Sequence, residues 1–323
     1  MPELSDSRRP AEPAVELRHL SGPDEIELFN RLPYTLNDEL ADDLEQGRRR
    51  PEWMWLALRD GQPVARAAWW KAPDAAEPEL FDILDFDESL ADDEALSIGG
   101  ALLDAARAHV LRGLTQQPEY GRYLPADWRE QPATRRGTEL RMALLERLGA
   151  RLLVERLRLE WQPGTPIAEP DPRLSFRPAA SDEEWLDLLT RALDGTLDVH
   201  CREDLARMTP RETALGQWQN EFARFSSPRE WWRVAENAEG EVVGFVLPAR
   251  NSYHHIVAYL AVLPEHRGNG YIDGILTEGT RVLAEAGAPR VRASTDVPNV
   301  PMARAFERGG YRNFERTINM GWD

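Results

Sequence analysis

Residues 256–276 read Ile-Val-Ala-Tyr-Leu-Ala-Val-Leu-Pro-Glu-His-Arg-Gly-Asn-Gly-Tyr-Ile-Asp-Gly-Ile-Leu and hold the most legible chemistry in the chain. The apolar run Ile256 to Leu263 has the character of a strand. Pro264 ends it, and Arg267, Gly268, Asn269 and Gly270 make a turn. A helical pattern follows, with Ile272, Ile275, Leu276, Val282 and Leu283 on one face and Gly287 as its stop. A strand, a glycine turn and a helix start together form an anion site, because unpaired amides point out of the helix N-terminus and glycine lets a ligand approach the backbone. Arg267 adds a cation, as a diphosphate would require. An ordinary turn rich in small residues has the same composition, so the next segment decides.

That segment is a strand, Arg290 to Thr295, followed by a helix start at Asn299 and Pro301. Met302, Ala305 and Phe306 share one face of the helix, and Gly309-Gly310 stops it. The ordered pair V-x-P-x-x-R-G-x-G and N-x-x-A-x-x-x-(Tyr/Phe)-x-x-x-G-(Phe/Tyr) resembles the GCN5-related N-acetyltransferase (GNAT) family. The resemblance covers residues 173–320 and, more weakly, 14–160. It implies acetyl-CoA as acyl-donor cosubstrate. Leu260, Ala261 and Val262 would offer main chain to the thioester and pantetheine, with an amide near Val262 polarising the carbonyl. His266, Arg267, Gly268, Asn269, Gly270 and Tyr271 would cradle the diphosphate, and Asn299 and Phe306 would lie beside the carrier.

Three residues depart from the family pattern. Ile272 stands where Gly or Ala is usual, and Asp273 brings a negative charge into the first helical turn. Phe306 occupies the place of a tyrosine that protonates the leaving thiolate, and phenylalanine has no proton to give. That role passes to Tyr259, Tyr271, Tyr311 or water. The family often carries a glutamate early on the preceding strand, where Ile256 stands here. His254 and His255 are the bases in that stretch, and strand alternation puts His254 on the face of Ile256 and Ala258. A solvated hairpin end with two ordinary histidines is the competing reading. Asp198, His200 and Cys201 are metal-ligand types without a second cluster, which favours a pocket wall. Trp218, Trp231 and Trp232 suit a core better than an aromatic acceptor site. The acidic stretch from Asp82 to Glu94 reads as a solvated face.

The elements that position these residues recur. Each half opens with an alternating strand, Val15 to Leu20 or Leu174 to Pro178, and continues through amphipathic helix to a hairpin, residues 55–65 or 232–244. Gly61 and Gly240, and Gly149 and Gly310, hold equivalent places. The expectation is α/β architecture of the α+β type: two tandem acyl-CoA N-acyltransferase-like domains, each a mixed, mostly antiparallel sheet flanked by helices. The domains are placed at 1–161 and 173–323, joined by the proline-rich linker 162–172. In the first half Glu94 stands where Arg267 stands in the second, behind Asp92 and Asp93, so that half is expected not to bind acetyl-CoA. The tandem arrangement is similar to that of mycothiol synthase-like acetyltransferases.

The 323 residues suffice for two cores. A net charge of −17 disfavours nucleic acid and anionic membranes. No apolar run is long enough to span a bilayer, and the opening residues lack a signal segment. The single Cys201 points to a reducing cytoplasm. The expected activity is N-acetylation of a small-molecule amine by direct attack on the thioester. Phe306 and the missing carboxylate favour the alternative, a non-catalytic acyl-CoA-binding or structural module.

Overall fold

In the computed structural model, which describes residues 14–322, β1 (Glu16–His19) leads through α1 (Ile26–Phe29) and α2 (Leu40–Glu45) to the hairpin β2 (Met54–Arg59) and β3 (Gln62–Trp70). Then come β4 (Leu80–Phe86), α3 (Asp92–Val110), β5 (Glu119–Pro125), α4 (Pro132–Arg147) and β6 (Arg151–Trp161). The order repeats with β7 (Ser175–Arg177), α5 (Asp182–Ala192), α6 (Val199–Leu205), α7 (Pro210–Asn220) and the hairpin β8 (Arg233–Glu236) and β9 (Val242–Arg250). It closes with β10 (His255–Val262), α8 (Tyr271–Glu285), β11 (Val291–Asp296), α9 (Val300–Arg308) and β12 (Arg312–Gly321). The opening residues, read above for a signal segment, lie outside the described residues. No helix among those described is long and apolar enough to cross a membrane.

The chain divides into two compact units. One holds most of the chain up to Leu153 together with Ile318 onward, and the other holds Leu124–Ala126 and Val154–Thr317. In the first, β1, β2, β3 and β4 are antiparallel neighbours and β5 joins β4 in parallel. In the second, β7, β8, β9 and β10 repeat the antiparallel order, β11 joins β10 in parallel, and β6 joins β11 antiparallel. The parallel steps are bridged by α3 and α8, as parallel neighbours require a crossover. Gly61 and Gly240 turn the two hairpins at φ +74° and +80°. The sheets are thus mixed and mostly antiparallel, flanked by helices, as the sequence predicts.

The division falls within β6 and not at the expected boundaries of 161 and 173. Residues 156–161 are already paired with β11, from Arg156 opposite Asp296 to Trp161 opposite Val291. Ile167, inside the proline-rich stretch, packs on the core of the second unit.

Two apolar layers sandwich the second unit's sheet, because successive strand residues point to opposite faces. Phe245 and Leu247 of β9 meet Trp185, Leu188 and Leu189 of α5. Val246 meets Ile275, Leu276 and Leu283 of α8, with Val291 and Phe306. Each such fully buried side chain contributes roughly 1.5–3 kcal/mol. α5 begins at Ser181, whose Oγ accepts the Glu184 N–H at 3.1 Å.

The acidic stretch from Asp82 to Glu94 is not one solvated face. Asp92 and Asp93 are exposed at the start of α3, but Asp82 and Asp85 on β4 are 3% and 1% exposed. Asp82 accepts from Arg49 Nη1 and Nη2 at 2.8 and 2.6 Å. Asp85 accepts from Arg66 Nε and Arg141 Nη2, each at 2.9 Å, with Arg122 Nη1 also 2.9 Å away. Burial pushes the Asp85 carboxyl up, but the guanidiniums of Arg122, Arg66 and Arg141 outweigh it and hold the group at about 2. These arginines come from β3, β5 and α4, so nothing local to β4 reveals them.

Candidate active site

β10 pairs with β9 along its length, with a bulge at Ala258. Its parallel pairing with β11 covers only His255 opposite Val291 and Ile256 opposite Arg292. Beyond Ile256 the strands part. Leu263 N–H donates to Val243 O at 2.9 Å, so the alternation of an antiparallel ladder turns the main-chain groups of Leu260 and Val262 away from β9, into the gap. Those of Ala261 face β9.

The gap opens into a cavity of about 510 Å³. Residues 257–262 form one side, Ser294, Thr295 and Asn299 another, and residues 195–198 a third. The mouth is made by His266, Arg267, Gly268, Gly270, Tyr271 and Ile272. Gly268 and Gly270 adopt φ +84° and +77°, and Gly270 is the N-cap of α8. A side chain at such a φ costs about 1–2 kcal/mol. Asp273 N–H donates to Gly270 O at 3.4 Å, while the amides of Tyr271 and Ile272 have no helical acceptors and stay available at the cavity mouth. Asn269 Nδ2 donates to His266 O at 3.0 Å and Arg173 Nη1 to Asn269 O at 2.9 Å, which fixes the turn.

The two unusual residues of this helix start differ in their effect. Asp273 accepts from Arg308 Nη2 at 2.6 Å, so its charge is compensated beside the turn. Ile272 stands in the cavity wall.

Of the residues expected at the carrier, Leu260, Ala261, Val262, His266, Arg267, Gly268, Gly270, Tyr271 and Asn299 line the cavity; Asn269 and Phe306 do not. Asn299 Oδ1 caps α9, accepting the Met302 N–H at 3.4 Å. Phe306 is 1% exposed and lies edge-on to Tyr311, ring centroids 5.1 Å apart, as a core residue. Tyr311 is also buried, its Oη 2.8 Å from Thr280 Oγ1. Tyr259 and Tyr271 reach the cavity. Burial raises the Tyr259 hydroxyl above the usual phenol range.

The two histidines expected to act as bases lie outside the cavity lining. His254 Nε2 faces Arg292 Nη1, and burial together with Arg292, Arg158 and Arg290 lowers the imidazole to about 4. His255 stacks on Trp231 at 6.1 Å, and burial followed by Arg250 lowers it as well. Trp218 and Trp232 belong to the apolar layer under α5.

Arg156 and Asp198 line the cavity and were not read from the sequence as a pair. Asp198 N-caps α6, its Oδ1 accepting the Cys201 N–H at 2.9 Å, and its Oδ2 lies 3.4 Å from Arg156 Nη2. Burial would raise this carboxyl, but Arg156 and the Cys201 amide outweigh it and keep the group below the ordinary carboxylate range. Arg156 Nε is also 3.0 Å from Oδ1 of Asp296, which is 1% exposed. Burial and the Asp198 charge raise Asp296. An Asp ahead of a helical segment is a cap signal that could have placed Asp198 at the start of α6. The cross-strand pair Arg156 and Asp296 depends on β6 lying beside β11, which sequence order hides.

The first unit has the same strand departure. β4 pairs with β5 only at Leu80 opposite Glu119 and Phe81 opposite Tyr120. There, however, Arg141 Nε donates to the Leu84 carbonyl at 2.5 Å, so a side chain from α4 takes the main-chain acceptor of the departing strand.

Residues 197–311 match the family model described as the Acetyltransferase (GNAT) family. The matched segment lies within the second unit, which is therefore similar to GNAT acetyltransferases over those residues. The chain is 28% identical over 189 residues to a mycothiol acetyltransferase of Acidothermus cellulolyticus, across 53% of this chain and 55% of that protein. The match therefore spans little more than half the length of this curated relative. The fold is shared with a GCN5-related N-acetyltransferase from Sphaerobacter thermophilus at a TM-score of 0.58 and 17% identity, over 95% of this chain and 94% of the other. It is also shared with a tandem GNAT protein from the clavulanic acid biosynthesis pathway at a TM-score of 0.51 and 13% identity, over 95% and 98% of the two chains. These likenesses make the architecture a tandem GNAT fold.

Proposed function

We propose that the second unit binds acetyl-CoA beside β10 and transfers its acetyl group to the amine of a small molecule. The observation that carries this reading is the unpaired edge of β10 after Ile256, which runs directly into a glycine turn and helix N-terminus at the same cavity. Leu260 supplies a main-chain donor and acceptor, and Val262 its amide, to the pantetheine arm. The amides of residues 268–272 receive the diphosphate, where negative charge is favoured. The thioester supplies an acetyl group activated toward a neutral amine, the C–N bond forming as the C–S bond breaks.

Asp198 is the ionised carboxylate in reach of an acceptor. It holds the incoming ammonium and, through water, draws off the proton that must leave before attack. A CoA thiolate leaves readily, so a buried Phe306 is compatible with turnover. The first unit does not bind acetyl-CoA, because Arg141 takes the β4 carbonyl and Asp92, Asp93 and Glu94 put negative charge at the start of α3.

The test is release of free thiol from acetyl-CoA with a panel of small primary amines, with the acetylated product confirmed by mass. Amine-dependent release is expected. CoA binding without turnover of any amine would instead favour a non-catalytic acyl-CoA module.

A further inference from the structure

Arg267 was expected to face the diphosphate, but its guanidinium is committed elsewhere. Nη1 donates to Asp194 O at 2.7 Å and lies 3.5 Å from Gly195 O. Nη2 donates to Ala192 O at 3.1 Å, and Nε to Val262 O at 3.2 Å. Three of these carbonyls belong to the C-terminal end of α5 and the residues after it, where orphan carbonyls and the negative end of the helix dipole favour a cation. The fourth belongs to the last residue of β10. A second link joins the same segments, since Arg191 of α5 is ion-paired with Glu265 of the loop. A Cβ on Gly195, which adopts φ +62°, would sit 3.0 Å from Arg267 Nη1 and press on this clamp.

The segment held in this way carries the acceptor side of the cavity. Gly195, Thr196, Leu197 and Asp198 all line it, and Asp198 starts α6. We infer that Arg267 is a positioning residue: it clamps the wall formed by residues 192–198 to the glycine turn and so sets the place of Asp198. The diphosphate is held by main-chain amides. This rests on the acetyl-CoA reading above, and it makes the acceptor side depend on a residue of the carrier turn.

The experiment compares the full-length chain with Arg267→Met, which keeps side-chain length and removes the donors. CoA affinity is measured by calorimetry, and amide hydrogen exchange is followed by mass spectrometry. Exchange in residues 193–198 is expected to rise about tenfold or more, with that in the middle of α8 unchanged. The CoA Kd is expected to stay within about threefold. For an amine turned over by the wild type, the amine KM rises at least about fivefold while that for acetyl-CoA holds. Gly195→Ala, which crowds the clamp from the other side, reproduces the exchange signature with Arg267 intact.

Unchanged exchange in residues 193–198, or a CoA Kd weakened more than about tenfold, overturns the assignment. A wild-type chain that binds no CoA overturns the underlying acetyl-CoA reading instead. That outcome is seen before any variant is made.

Discussion

His254 Nε2 accepts a hydrogen bond from Arg292 Nη1 across 2.5 Å, and Arg292 Nε in turn donates to Glu160 at 3.1 Å. The imidazole lone pair that a general base needs is therefore already used. Burial and the surrounding arginines hold the ring at about 4, below its ordinary 6.5. The unfolded chain binds the proton more readily, so the neutral ring's contribution is whole above pH 6.5 and is lost as pH falls through about 4. His254→Gln is expected to leave the rate at pH 7–8 within about threefold and to flatten the stability loss between pH 6.5 and 4. Rate–pH profiles and urea unfolding at several pH values check both. A rate lost about a hundredfold would restore His254 as the base.

Asp198→Asn keeps an oxygen to cap α6 and removes the charge. The KM for the acceptor amine is expected to rise about tenfold or more, with the CoA Kd within about threefold, because only a charged hydrogen bond to an ammonium is lost. Steady-state kinetics beside calorimetry separate the two effects. An unchanged amine KM removes Asp198 from the acceptor site.

Gly270→Val places a β-branched residue at φ +77° over the start of α8. The fold is expected to lose about 1–2 kcal/mol, measured by urea unfolding. CoA binding is expected to weaken by more than about tenfold, since the same turn presents the amides.

Asp85→Ala leaves Arg66, Arg122 and Arg141 buried around a missing carboxylate. A loss of about 3–5 kcal/mol is expected in urea unfolding. In the wild type the stability from Asp85 is present above the unfolded carboxyl value of 3.8 and is lost as pH falls toward about 2. The variant lacks that acid-side component.

Short-range pattern made much of the second unit legible. Ile256 to Leu263, the turn at 267–270 and the cap at Asn299 are each set by residues adjacent in sequence. What the sequence did not disclose depends on distant partners. Arg267 presents as a phosphate ligand until the end of α5 is seen beneath it. Asp82 and Asp85 resemble solvent-facing acids until Arg49, from the loop before β2, and arginines from other strands and a helix surround them. Arg156, Asp198 and Asp296 converge only because β6 joins a sheet whose other strands follow it in sequence. Phe306 matched a site motif by spacing, but the rotation of α9 buries it against Tyr311.

The most direct measurement is a calorimetric titration of the full-length chain with CoA. Saturation at a single site per chain, weakened more than about tenfold by Gly270→Val and retained in Glu94→Gln, is the predicted result. Absence of binding, or two equivalent sites per chain, would contradict a carrier held only in the cavity beside β10.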